Sequence, residues 1–166
     1  GVAGVTLNGL PGTPLIDEKG GYSAEVPQGW AGTVKPEKEG FRFEPQQRVY
    51  NRVTEAFNSQ DYAASVLTFT VSGRVGLPGV RMTGLPGGVL SDESGTYSGQ
   101  VEYGWTGDVI PEKTGYRFMP PRRQYSMFRQ DRTNEDYNPA PLLFTTSGKA
   151  GVPGVMMRVL PRDPVT

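Results

Sequence analysis

Leu67-Thr68-Phe69-Thr70-Val71-Ser72-Gly73-Arg74-Val75 decides the fold. Leu67, Phe69 and Val71 fall on one face, and Thr68, Thr70 and Ser72 on the other. Side chains alternate across a strand, so this reads as a strand with one wet face. The same period returns downstream: Val80 and Met82 alternate with Arg81 and Thr83, and Tyr97, Gly99 and Val101 with Ser98 and Gln100. Phe41 and Phe43 flank Arg42, as Tyr116 and Phe118 flank Arg117. No stretch sustains the spacing of 3 and 4 that a helix face needs, and Gly or Pro interrupts most windows.

Turn chemistry separates the strands. Asp17-Glu18-Lys19-Gly20 and Asp92-Glu93-Ser94-Gly95 place Asp first and Gly fourth, as a type I turn prefers. Those two turns are 75 residues apart, and so is nearly everything else. Shifting the sequence by 75 aligns it without a gap, with 34 of 75 positions identical. Gly1-Val2-Ala3-Gly4-Val5 falls on Gly76-Leu77-Pro78-Gly79-Val80 and again on Gly151-Val152-Pro153-Gly154-Val155. Retained positions are mostly Gly, Pro, Tyr, Trp and Phe, whereas positions such as Lys35 to Ile110 and Glu44 to Met119 have changed. That is a kept scaffold with a drifting surface, and the expected fold is all-β: tandem β-sandwich repeats of 75 residues with about seven strands per unit.

The motifs Phe69 to Val75, Gly79-Val-Arg-Met82, Asp92-x-x-Gly-x-Tyr-Ser98, Gly104-Trp-Thr-Gly107 and Gly115-Tyr-Arg-Phe118 resemble a known family. They look like the carboxypeptidase regulatory-like (transthyretin-like, CnaB-type, Ig-like) β-sandwich repeats of secreted bacterial proteins. The likeness spans nearly the whole chain and is densest from Tyr22 to Tyr62. It implies a non-catalytic module of a secreted or cell-surface protein, serving as a spacer, stalk or accessory domain; that is a fold-level warrant.

The family pattern starts a unit at the strand from Leu67 to Val75. Residues 1–65 then form a β-sandwich repeat lacking its first strand. Residues 66–140 are a complete repeat, and residues 141–166 are the first strands of a third, truncated one. The rival phase takes 1–75 and 76–150 as units. In either phase the tail strand around Val155 to Leu160 has no partner from its own unit. Because the chain begins inside a repeat, its ends are expected to be those of a fragment. One reading is a window on a longer polypeptide that continues in the same chain. The other is strand complementation, in which the tail of one chain fills the open edge of the next and a non-closing contact makes a filament. The residues expected in such inter-unit or inter-chain pairing are Leu142, Phe144, Val155, Met157 and Val159.

Composition narrows the functions. Cysteine and histidine are absent, which excludes disulfides, thiol nucleophiles, Cys/His zinc sites and the Ser-His-Asp triad. Basic and acidic side chains number 17 each, without a basic stripe, so no nucleic-acid partner is expected. No apolar run approaches about 18 residues, so no membrane insertion is expected either. No catalytic residue, cofactor or metal site is expected.

Several residues admit a sharper reading. Trp30 and Trp105 follow glycine at strand ends and offer an aromatic platform for a sugar ring; packing within or between units is the plainer reading. A carbohydrate- or surface-binding adhesin module is accordingly the alternative function. Asp17, Glu18, Asp92 and Glu93 supply too few ligands for a calcium site and read as turn residues. Lys38 and Lys113, in the retained Pro-Glu-Lys, have no evident crosslink partner, since no asparagine is kept at a matching place, and read as solvated. Arg42, Arg48, Arg117 and Arg123 read as cross-strand ion-pair residues. The Pro-rich stretch Tyr137-Asn138-Pro139-Ala140-Pro141 reads as a stiff inter-unit junction. The expected role is structural: a stalk, surface layer or filament whose partners are neighbouring repeats, outside the cell.

Overall fold

A computed structural model describes residues 1–149 except Thr13 and Leu15, together with Gly151. Among the described residues there is no helix, and the chain forms twelve strands. In order they are β1 (Thr6–Asn8), β2 (Gly32–Glu37), β3 (Phe41–Glu44), β4 (Arg48–Tyr50) and β5 (Ala63–Val66). There follow β6 (Thr68–Arg74), β7 (Arg81–Thr83), β8 (Thr96–Glu102), β9 (Gly107–Glu112), β10 (Tyr116–Met119), β11 (Arg123–Tyr125) and β12 (Asn138–Pro141). The paired strands make small antiparallel sheets of two or three strands: β1-β2-β4, β3-β5, β6-β8, β7-β9-β11 and β10-β12. The fold is all-β and consistent with a β-sandwich.

Pairing registers recur at the 75-residue offset. Thr6 faces Glu37 as Arg81 faces Glu112, and Phe41 faces Val66 as Tyr116 faces Pro141. The C-terminal half has seven strands, β6 to β12, and the alternation from Thr68 onward places Val71 and Gly73 inside. The N-terminal half has five. Of the positions equivalent to β6 and β8, the first would fall before Gly1, and the second, residues 21–27, is not in a strand.

Burial follows this difference. In the C-terminal half Val71, Val75, Met82, Tyr97, Val109 and Tyr137, each at most 2% exposed, belong to one twelve-residue core cluster. The N-terminal half buries Leu7, Val34 and Phe43 among its large apolar side chains. Tyr22, Tyr50 and Tyr62, the counterparts of Tyr97, Tyr125 and Tyr137, stay partly exposed. A sheet buries its apolar face only when another element covers it.

β6 lies between two neighbours. On one side it pairs with β8 over seven residues, Thr68↔Glu102 to Arg74↔Thr96. On the other it runs parallel to the segment entering β12: Arg132 N–H donates to Thr70 O at 2.8 Å, Ser72 N–H to Arg132 O at 2.9 Å, Glu135 N–H to Ser72 O at 3.0 Å and Tyr137 N–H to Arg74 O at 2.8 Å. Gly73 permits this approach, because a Cβ there would lie 2.6 Å from the backbone of Glu135.

One residue separates β5 from β6. Leu67 N–H donates to Gly40 O at 2.8 Å, and Tyr103 N–H donates to Leu67 O at 2.8 Å. Around this passage Tyr103 Oη donates to Glu39, the Arg129 guanidinium lies 3.4 Å from Glu39 Oε1, and Arg129 stacks over Tyr103. The two halves are joined at Leu67 by shared backbone bonding. The expected junction at residues 137–141 is instead strand β12, paired with β10. Pro139 and Pro141 are two residues apart, so their missing donors fall along one edge of the strand, which leaves the other edge able to pair.

Candidate strand-acceptor groove

The walls of the uncovered region in the N-terminal half come from residues 21–27 on one side and residues 57–62 on the other. Between them is a groove of about 1250 Å³, lined by Val5, Leu7, Tyr22, Val26, Tyr50 and Tyr62 among others. It exceeds the roughly 300–1,000 Å³ usual for small-molecule pockets. Counterparts of all six are buried in the C-terminal half, in the core cluster that Val71 of β6 completes.

The walls are held at their spacing by bonds that recur at the offset. Tyr22 Oη donates to Gln60 O at 2.6 Å, as Tyr97 Oη donates to Glu135 O at 2.7 Å. Tyr62 Oη donates to Val34 O at 3.2 Å, as Tyr137 Oη donates to Val109 O at 3.0 Å. Ring centroids of Tyr22 and Tyr62 lie 6.5 Å apart, and those of Tyr97 and Tyr137 6.2 Å. Burial raises the phenol pKa values of these tyrosines; Tyr62 and Tyr137 are both pushed up to about 12. Burial also raises Tyr22 and, most strongly, Tyr97.

At the other end of the chain, Leu142 N–H donates to Gly115 O at 2.8 Å, the same contact that Leu67 makes with Gly40. The chain then leaves the C-terminal half in the way it left the N-terminal half. Residues 143–149 are not in a strand, and Leu143 and Phe144 are 84% and 89% exposed. Their sequence, Leu-Phe-Thr-Thr-Ser-Gly-Lys, repeats Thr-Phe-Thr-Val-Ser-Gly-Arg of β6. Leu142 and Phe144 are therefore brought to one exposed segment. Val155, Met157 and Val159 lie outside the described residues.

Trp30 and Trp105 are partly buried. Each indole covers a glycine, Gly32 and Gly107, where a Cβ would lie 2.5 Å and 2.6 Å from the ring, and each stacks on a tyrosine, Tyr50 and Tyr125. The turn aspartates accept from their own turns. Asp17 Oδ1 accepts from Lys19 and Gly21 N–H, and Asp92 Oδ1 from Ser94 and Thr96 N–H. The Ser94 hydroxyl and these backbone bonds hold the Asp92 carboxyl below the usual range. Among the described residues no three acidic side chains cluster as a metal site would require.

Two readings of charged side chains are corrected. Lys38 and Lys113 do not simply extend into water: Lys113 Nζ donates to Pro78 O at 2.7 Å and Lys38 Nζ donates to Ala3 O, so each clips the loop before β7 or β1. Of the four arginines, Arg123 has an ion pair among the described residues, 3.1 Å from Glu135. Arg48 instead donates to Asp61 O at 2.8 Å and stacks over Tyr62, and Arg42 donates to Ser65 Oγ. The lysine and Arg48 contacts leave no mark on residue type, because their acceptors are backbone carbonyls.

No protein-family model matches the chain, and no curated protein matches it in sequence.

Proposed function

We propose that the chain is a non-catalytic structural segment of a long extracellular protein. In this reading it consists of tandem 75-residue β-sandwich repeats of the carboxypeptidase regulatory-like type. They form a stalk, surface layer or filament in which a strand supplied at one junction completes the next unit. The supporting observation is the recurrence of the junction: Leu67 on Gly40 between the halves, and Leu142 on Gly115 where a further unit would follow. A junction built of main-chain bonds gives each added unit the same offset from the last, so length grows in fixed steps.

The test is a single polypeptide in which one, two or three further copies of residues 67–141 are inserted after Pro141. Small-angle scattering and electron microscopy would show the particle lengthening by a constant step, roughly 30 Å, the diameter of a small domain. A compact particle, or steps of irregular size, would refute the reading.

A further inference from the structure

We propose that Glu39, Tyr103 and Arg129 form a pairing code at the junction between units: an end carrying Glu39 docks in one orientation on a unit presenting Tyr103 and Arg129, and docks loosely on a unit with other residues in those places. This rests on the reading of the molecule as a structural array and specifies how one unit selects its neighbour.

The junction has two layers of contact. The first is main chain: Leu67 N–H donates to Gly40 O and Leu67 O accepts from Tyr103 N–H, each at 2.8 Å. Gly40 and Leu67 are kept at the 75-residue offset as Gly115 and Leu142, with the same bond between them. The second layer is side chain, and none of it is kept. Thr114 stands at the position of Glu39, Gln28 at that of Tyr103 and Thr54 at that of Arg129. The three residues that differ are the three that meet across the junction. Glu39 lies between β2 and β3 of the N-terminal half, whereas Tyr103 follows β8 and Arg129 follows β11 in the C-terminal half.

These three satisfy one another. Tyr103 Oη donates to the Glu39 carboxylate, and the Arg129 guanidinium lies 3.4 Å from Glu39 Oε1 and 5.6 Å from the centre of the Tyr103 ring. The bond to Glu39 raises the Tyr103 phenol above its ordinary pKa. The ring also rests on Gly40, where a Cβ would lie 2.5 Å from it, whereas a Cβ on Gly115 would meet nothing within 4 Å.

A Glu39 end set against Gln28 and Thr54 would find no cation there, and a Thr114 end set against Tyr103 and Arg129 would leave the guanidinium without a counter-ion. Both mismatches face water, since the Glu39 and Arg129 side chains are 73% and 54% exposed, so each unit stays folded and the docking alone changes. Charged contacts of this kind supply selectivity more than affinity, and selectivity is the difference between match and mismatch. The main-chain bonds make any two units neighbours; the side chains hold a matched pair at one angle.

The chain has no cysteine, so spin labels can be placed at will. Val49→Cys and Gln124→Cys put one label on an exposed strand position of each half, on β4 and β11. Pulsed electron spin resonance on the 166-residue chain is expected to give one narrow distance. Glu39→Thr, which copies residue 114, should raise the fraction outside that peak roughly tenfold, as loss of a few exposed contacts allows, with circular dichroism and melting unchanged. Tyr103→Gln with Arg129→Thr should do the same, and all three together should do no more, because the residues act as one unit. The converse test inserts a second copy of residues 67–141 after Pro141, which sets Thr114 against the second Tyr103 and Arg129. Labels at position 124 of both copies should report a broad distribution, and Thr114→Glu in the first copy should narrow it. Three results would each overturn the proposal: a peak that Glu39→Thr leaves unchanged, a triple variant broader than the pair, or a Thr114→Glu junction as broad as its parent. Failure to lengthen in constant steps would sink the array reading alone, since the widths in the 166-residue chain do not depend on it.

Discussion

Substituting alanine for Gly73 isolates the contact on which β6 depends. Gly73 has no positive φ, so alanine meets no backbone strain there and the effect is steric. Its Cβ would lie 2.6 Å from the carbonyl carbon and oxygen of Glu135, against 3.4 Å for ordinary contact, so β6 and the 132–137 segment must part by about 0.8 Å. The nearest bonds, Glu135 N–H to Ser72 O at 3.0 Å and Tyr137 N–H to Arg74 O at 2.8 Å, would open beyond hydrogen-bonding range. Two lost bonds at about 1–1.5 kcal/mol each are offset in part by about 0.5–1 kcal/mol for replacing glycine within a strand. The net expectation is destabilisation by about 2 kcal/mol. Urea unfolding followed by Trp105 fluorescence, in a Trp30→Phe background, should show the midpoint falling by roughly 1–2 M at an m-value near 1–2 kcal/mol/M. Gly148→Ala provides the matched control and should leave the midpoint unchanged. A Gly73→Ala midpoint equal to or above that of the parent would refute the close-approach argument.

Two further outcomes follow from the same geometry. Tyr62 and Tyr137 both titrate near 12 in the folded chain, above the ordinary tyrosine value of 10; their contribution is complete below pH 10 and is lost as pH rises from 10 through 12. Absorbance of tyrosinate should therefore rise cooperatively with unfolding in that window, and Tyr137→Phe should weaken the slope of stability against pH. Lys113→Met removes the clip on Pro78 and should cost about 1 kcal/mol in urea unfolding, below the roughly 1.5–3 kcal/mol of a charged hydrogen bond because the site is partly solvated.

Much of this architecture was legible in the chain. The alternation from Thr68 to Arg74 and from Thr96 to Glu102 marked β6 and β8 because each has one buried face, and the aspartate-first turns appeared where Asp17 and Asp92 bond their own backbones. Other features were hidden for physical reasons. Pro139 and Pro141 suggested a linker, yet alternate spacing lets Asn138–Pro141 pair along one edge. Residues 21–27 carry much of the β8 pattern, but no second strand lies beside them among the described residues, and pattern alone does not supply hydrogen-bond partners. The lysine clips and the Arg48 carbonyl contact depend on where loops fold back, which spacing along the sequence does not encode.

The parallel run of β6 beside residues 132–137 has a mechanical consequence. The chain enters the C-terminal half at the start of β6 and leaves it at the end of β12, and the two run in the same direction. Tension applied through neighbouring units would pull these strands past each other along their length. Arg132 to Thr70, Ser72 to Arg132, Glu135 to Ser72 and Tyr137 to Arg74 would then bear the load together and fail together, instead of opening one after another as in an unzipping hairpin. The strand that closes the core is also the strand through which force would pass.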